Sequence, residues 1–202
     1  WLGYRVMVLD PDPSSPAGAA ADRHVCLPLD EPAALDDMAR ACAAVTVETE
    51  NVPIPALRRL EERVLVRPAS CSVAIAQDRV AEKRFISEIG LSSAPHIPVY
   101  TRSDLENACL APLLPGVLKL SRSGYDGKGQ MRVATADEAR AAFERLGRAA
   151  CVLERRVNLA TELSVLLARD ANGRMALWPV IENVHKEGVL DFSVIPARVP
   201  AA

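Results

Sequence analysis

The densest concentration of chemistry in the chain is Ser121-Arg122-Ser123-Gly124-Tyr125-Asp126-Gly127-Lys128-Gly129-Gln130, where Gly124, Gly127 and Gly129 leave the backbone bare around Lys128. Glycine lacks the Cβ that keeps a ligand off the main chain, and successive exposed N–H groups can close around phosphate oxygens. Lys119, on the apolar run Gly116-Val117-Leu118-Lys119-Leu120 just before the loop, adds a second cation for an anionic ligand. The Gly-Lys-Ser/Thr ending and following helix of a Walker loop are absent. Read alone, the segment also fits an ordinary flexible hairpin with solvated charges.

Other charged positions fit the same kind of ligand. Glu154 closes an apolar strand and opens Glu154-Arg155-Arg156-Val157, where an edge backbone can pair with a purine base. Glu162 begins the next strand, and a carboxylate there can accept ribose hydroxyls. Arg79, in Gln77-Asp78-Arg79, lies on a helix from which it can reach phosphates. Each of these alone equally fits a solvated strand-end or surface charge. His185 sits in a polar patch, Glu182-Asn183-Val184-His185-Lys186, that interrupts apolar strands. Glu50 and Asn51 belong to Glu48-Thr49-Glu50-Asn51-Val52-Pro53, just past the carboxyl end of a predicted parallel strand, the edge where open α/β sheets bind ligands. His24 and His96 have no recognisable partners in sequence and read as structural or surface residues.

The elements that must position these residues change rhythm midway. Up to position 68, short β-branched strands (residues 5–10, 44–48 and 64–66) alternate with helices (33–43 and 53–63), the pattern of a parallel sheet covered by helices. Val73, Ala76, Val80, Phe85 and Ile89 predict one helix over 72–89, stopped by Gly90. Ser103 is the expected N-cap of a short helix, with Glu106 as its capping-box partner. Beyond that, strands at 116–120, 131–134, 151–154 and 162–167 predict antiparallel α+β structure. Thr135 caps a helix carrying Ala139, Ala142, Phe143 and Leu146 on one face, and Asp170-Ala171-Asn172-Gly173 turns into Met175-Ala176-Leu177-Trp178.

Bulk properties exclude several alternatives. A net charge of −2 offers no basic field for nucleic acid or an anionic membrane, and 4% aromatic residues argue against base-stacking platforms. No apolar run approaches the ~20 residues that span a bilayer. Five widely spaced cysteines are expected to be reduced thiols in a cytoplasmic protein. The chain opens Trp1-Leu2-Gly3-Tyr4 without Met and closes Val199-Pro200-Ala201-Ala202, so both ends read as cuts.

Taken in order, Glu48-Thr49-Glu50-Asn51-Val52-Pro53, Gln77-Asp78-Arg79, Val117-Leu118-Lys119, Gly124-Tyr125-Asp126-Gly127-Lys128-Gly129-Gln130, Glu162-Leu163-Ser164-Val165 and Glu182-Asn183-Val184-His185 resemble the 5-(carboxyamino)imidazole ribonucleotide synthases. The resemblance covers nearly the whole chain and is most specific in the glycine loop. It implies a truncated Rossmann-like pre-ATP-grasp domain (1–68, first strand and glycine loop missing) and a linking helix with the start of the ATP-grasp fold (69–98). A lid subdomain (99–157) and an incomplete C-terminal lobe (158–202) follow. It further implies that Arg79 and Lys119 contact ATP phosphates and that residues 124–130 close over them. Glu154, Arg155, Arg156 and Val157 would line adenine, Glu162 would bind ribose, and His185 would lie in the nucleotide site. Tyr125 and Asp126 would face the substrate, with Glu50 and Asn51 also on the substrate side.

The implied reaction carboxylates 5-aminoimidazole ribonucleotide with bicarbonate, consuming ATP with Mg²⁺, in purine biosynthesis and in a homodimer. The metal ligands and substrate-phosphate cluster are expected beyond position 202, leaving this piece inactive alone. Thr49 departs from the family's usual aromatic residue, and Leu120-Ser121 from its usual Thr-Ala pair. The alternatives are another ATP-grasp ligase, of the glycinamide ribonucleotide transformylase or biotin carboxylase type, and a non-catalytic nucleotide-binding module.

Overall fold

The protein is described by a computed structural model over residues 3–124, 128–186 and 189–199. The chain divides into two units, Trp1–Ser93 and Ala94–Ala202. In the first, strands and helices alternate: β1 (Met7–Leu9), α1 (Pro16–Ala20), β2 (Arg23–Val25), α2 (Pro32–Ala41), β3 (Ala44–Val45), α3 (Ile54–Glu61), β4 (Leu65–Val66), α4 (Ser70–Ala76) and α5 (Arg79–Glu88). β1 pairs with β2 and β3 with β4, both parallel. Among the described residues no ladder joins the two pairs, so the expected single sheet is two short ribbons. They share one core, in which Leu35, Met38, Leu57, Leu60, Val66 and Val73 are buried and Met7, Leu9 and Val45 pack against them.

Local chemistry explains the joints. Helices α1, α2 and α3 begin with proline in the first turn, where its missing N–H costs nothing. Gly18 in α1 lies under the His24 ring of β2, which a Cβ would meet at 2.5 Å, so only glycine allows that approach. The helix expected over 72–89 is broken. Asp78 is extended, and its Oδ1 accepts from Val80 N (3.0 Å) and Ala81 N (3.3 Å), starting α5 as a separate helix. The stripe that suggested one helix is discontinuous too: Val73 is buried, whereas Phe85 and Ile89 are exposed.

The second unit contains β5 (His96–Val99), α6 (Arg102–Asn107), β6 (Gly116–Leu120), β7 (Gln130–Val133), α7 (Ala136–Arg145) and β8 (Cys151–Arg155). These are followed by β9 (Glu162–Ser164), β10 (Leu167–Arg169), β11 (Met175–Leu177), β12 (Ile181–Lys186) and β13 (Val189–Val194). Strands β5-β8-β6-β7 form an antiparallel sheet in that order. Its Leu118, Val133, Cys151 and Leu153 pack with Leu105 of α6 and Ala139, Ala142 and Phe143 of α7. Burial pushes the Cys151 thiol up to about 11, so it is a core residue and not a nucleophile. Thr135 caps α7 as expected, its Oγ1 accepting from Glu138 N at 3.2 Å.

Two sequence expectations fail here. Helix α6 is capped by Thr101 with Asp104, whose Oδ2 accepts from Thr101 N at 2.7 Å, and not by Ser103 with Glu106. The strand expected over 162–167 is two strands. β9 pairs with β12 in a β13-β12-β9 sheet, and the chain then switches at Val165 and Leu166 so that β10 pairs with β11.

In the first unit, Asp36 of α2 binds Arg59 of α3 (Nη2, 3.0 Å) and Arg63 just past that helix (Nη1, 2.9 Å). The Arg59 hydrogen bond, reinforced by the Arg59, Arg63 and Arg40 charges, holds the Asp36 carboxyl below its ordinary range. A lowered folded value means a stabilising contribution that is complete above the unfolded value of about 4 and is lost as pH falls through the folded one. Asp36→Asn is therefore expected to flatten the acid limb of stability, read as urea midpoints between about pH 5 and pH 3. An unchanged limb would show that the bridge carries no stability.

Candidate functional site

Strand alternation sorts β6 and β8 into two faces. Leu118 and Leu153, paired in register, enter the core, while Val117 opposite Glu154 and Lys119 opposite Val152 occupy the other face. On that face Lys119 Nζ donates to Glu154 Oε2 at 3.0 Å. Glu154 is 9% exposed, so its carboxylate sits in a poorly solvated place facing the Lys119 ammonium. Two groups 35 positions apart are thereby joined.

The glycine loop springs from the end of β6. Leu120 N donates to Gly129 O at 2.8 Å, closing the hairpin's base. Gly129 has φ 69°, and a Cβ there would meet Leu120 Cδ1 at 2.8 Å, so the position demands glycine on both counts. Gly124 and Lys128 flank the tip and Gln130 opens β7. Tyr125, Asp126 and Gly127 lie outside the described residues.

Beyond Glu154 the backbone reading needs correction. β8 is central, between β5 and β6, and Arg155 N already donates to Pro95 O (2.8 Å) and Arg156 N to Pro115 O (2.9 Å). The amides of Arg155 and Arg156 are thus spent inside the protein. Val157 N is the first in this run with no acceptor among the described residues.

The next pair lies in the β13-β12-β9 sheet. His185 Nδ1 lies 2.8 Å from Glu162 Oε2, which requires the proton on Nδ1 since a carboxylate oxygen accepts. Beside them runs a polar row that sequence reasoning missed: Asn183 Nδ2 donates to Ser164 Oγ (2.5 Å) and Ser193 Oγ to Asn183 Oδ1 (2.8 Å). The signal was available, because Asn183 precedes His185 by two along a strand. Glu182 is committed elsewhere; Arg198 donates to both of its oxygens (Nε 3.0 Å, Nη2 2.6 Å) and holds its carboxyl below the usual range.

In the first unit, Arg79 is the first residue of α5, and Glu50 and Asn51 lie exposed in the loop after β3. Thr49 has a use of its own: its Oγ1 accepts from Asn51 N at 3.3 Å and shapes that loop. Among the described residues no three His, Cys, Asp or Glu side chains converge as a cation site, and no helix is long and apolar enough to cross a membrane.

Comparison with known proteins adds the following. The ATP-grasp domain family matches residues 84–202, and the ribonucleotide synthetase preATP-grasp domain family matches residues 1–77. The chain is 41% identical over 200 residues to the N5-carboxyaminoimidazole ribonucleotide synthase of Brucella melitensis, covering 98% of this chain and 55% of that protein. Its structure is similar to that of the N5-carboxyaminoimidazole synthetase of Staphylococcus aureus complexed with ADP, with TM-score 0.91 and 29% identity over 98% of this chain and 53% of that one. It is also similar to the Aspergillus clavatus N5-carboxyaminoimidazole synthase in complex with ADP and 5-aminoimidazole ribonucleotide, with TM-score 0.81 and 25% identity over 98% and 51%. The chain spans about half the length of the curated relatives it matches.

The Lys119–Glu154 pair generates a direct test. Lys119→Met takes that partner from a poorly solvated carboxylate and is expected to cost about 1–3 kcal/mol in urea unfolding. Adding Glu154→Gln should recover part of the loss, giving a coupling of about 0.5–3 kcal/mol in the double-mutant cycle. Additive effects would mean that the two groups are neighbours without energetic consequence.

Proposed function

Because the chain belongs to the ATP-grasp family, we propose that it carries the nucleotide-gripping part of a ligase that carboxylates 5-aminoimidazole ribonucleotide with bicarbonate in purine biosynthesis. The products are 5-(carboxyamino)imidazole ribonucleotide, ADP and phosphate. The observation that carries the reading is the succession of Lys119 on β6, the glycine hairpin closed at Leu120 and Gly129, and Glu154 bonded to Lys119 across the sheet. Relatives of that name support the substrate, and solved relatives that hold ADP, or ADP with the aminoimidazole nucleotide, support the ligand pair.

The chemistry calls for such an apparatus. Bicarbonate is a poor electrophile; transfer of the γ-phosphoryl group of ATP to one of its oxygens gives carboxyphosphate and ADP. The substrate amine then attacks the carboxyl carbon, phosphate leaves, and the nitrogen loses a proton. Carboxyphosphate hydrolyses readily, so a loop that closes over it and excludes water is required, and residues 124–130 are the candidates. In this reading Lys119, Lys128 and Arg79 offset phosphate charge, and Val157 N–H with the backbone of Glu154, Arg155 and Arg156 borders adenine. Glu162 accepts ribose hydroxyls beside His185, while Tyr125, Asp126, Glu50 and Asn51 serve the substrate side. Mg²⁺ is expected with the nucleotide, held by phosphates and by carboxylates beyond residue 202. A homodimer completes the proposal.

The test is ADP release by the gene's whole product with bicarbonate, with and without 5-aminoimidazole ribonucleotide. Strong stimulation by that nucleotide is expected, and Lys119→Ala should reduce kcat/KM by about 100-fold or more, the usual cost of losing a charge-stabilising donor. Absence of stimulation would contradict the substrate assignment and return the chain to the wider ATP-grasp family.

A further inference from the structure

Gln77 is absent from the set of residues just assigned, although it makes two of the shorter hydrogen bonds in the first unit. It ends α4, and its Nε2 donates to Glu50 O at 2.6 Å and to Val52 O at 2.5 Å. Both acceptors are main-chain carbonyls of the loop after β3, 25 and 27 positions away in sequence. Carbonyl oxygens only accept, so the amide nitrogen with its two protons must face them, and few other side chains supply two such donors from one neutral atom.

Among the described residues, the rest of that loop is held at its ends. Val47 and Val52 pack against the core, and between them the Thr49–Asn51 hydrogen bond forms a local turn. The side chains of Glu50 and Asn51 remain exposed. Removing Gln77's two bonds would free the loop's middle while leaving its apolar anchors in place. The next residue, Asp78, caps α5 through its own carboxylate, so Arg79 keeps its place at the helix start independently of Gln77.

We infer that Gln77 is a positioning residue that clamps the loop bearing Glu50 and Asn51, so that these two side chains are presented to the aminoimidazole nucleotide in a fixed geometry. The inference deepens the proposed function and rests on it for the identity of the substrate; the clamp itself rests only on the two hydrogen bonds. It separates substrate binding from nucleotide binding, because the carbonyls that Gln77 holds belong to the substrate-side loop, while Asp78 secures α5 and Arg79.

The test uses Gln77→Glu, which keeps the shape and sets a carboxylate against two carbonyl oxygens, and Gln77→Met, which keeps the length without a donor. Hydrogen exchange is followed over residues 46–54, with 116–120 and 151–155 as internal controls, alongside steady-state kinetics of the gene's whole product. Both variants are expected to exchange faster over 48–52 only. KM for 5-aminoimidazole ribonucleotide should rise about tenfold while KM for ATP changes by less than about twofold, because the two neutral hydrogen bonds that are lost order the substrate-side loop alone. Unchanged exchange over 48–52, or equal shifts in both KM values, would overturn the inference and reduce Gln77 to a general buttress. If the unmutated protein shows no stimulation by the aminoimidazole nucleotide, the reaction assignment fails by itself, and the exchange result still decides whether the clamp exists.

Discussion

The site in the second unit depends on the register of β6 against β8. A strand exposes alternate residues to opposite faces, so one alignment puts Leu118 and Leu153 into the core and Lys119 and Glu154 together on the other side. A slip of one residue would bury a lysine against Phe143 and turn Leu118 outward, and the cost of that exchange enforces the register. Core packing and the placement of the charged pair are therefore one constraint. Helix α7, started by the Thr135 cap, delivers Ala139, Ala142 and Phe143 to the apolar face and in doing so fixes what lies on the other.

From that base the remaining pieces follow by short connections. The hairpin loop begins two residues after Lys119, and Gly129 lets its return arm pass close over Leu120. The main chain leaving Glu154 spends the amides of Arg155 and Arg156 on its own fold before Val157 becomes available. Such an arrangement suits a ligand with a polyanionic end and a flat heterocyclic end. In the proposed reaction both demands fall at the polyanionic end, where phosphoryl charge must be balanced and water kept from carboxyphosphate.

Most element types were legible in the sequence because their signals are local. Thr135 with Glu138, the period of Ala139, Ala142 and Phe143, and the Asp170-to-Gly173 turn each act within a few residues. What failed was competition between equivalent local signals. Thr101 with Asp104 and Ser103 with Glu106 have the same spacing, and nothing nearby says which cap wins. Asp78 interrupts an apolar stripe that continues on both sides of it, so periodicity concealed the break between α4 and α5. The change of partner after Ser164 has no glycine or proline to mark it. In the candidate site, the residue types were visible but not their pairings. Lys119 with Glu154, Glu162 with His185, and Gln77 with the carbonyls of Glu50 and Val52 all join distant segments, and only the folded registers bring them together.

The most direct measurement is a crystal structure of the gene's whole product with a non-hydrolysable ATP analogue. The account predicts Lys119 Nζ within about 3 Å of a phosphate oxygen, the usual charge-assisted distance, with the glycine hairpin folded over the phosphates and the base beside Val157. A nucleotide bound away from β6, with Lys119 still engaged only by Glu154, would contradict it.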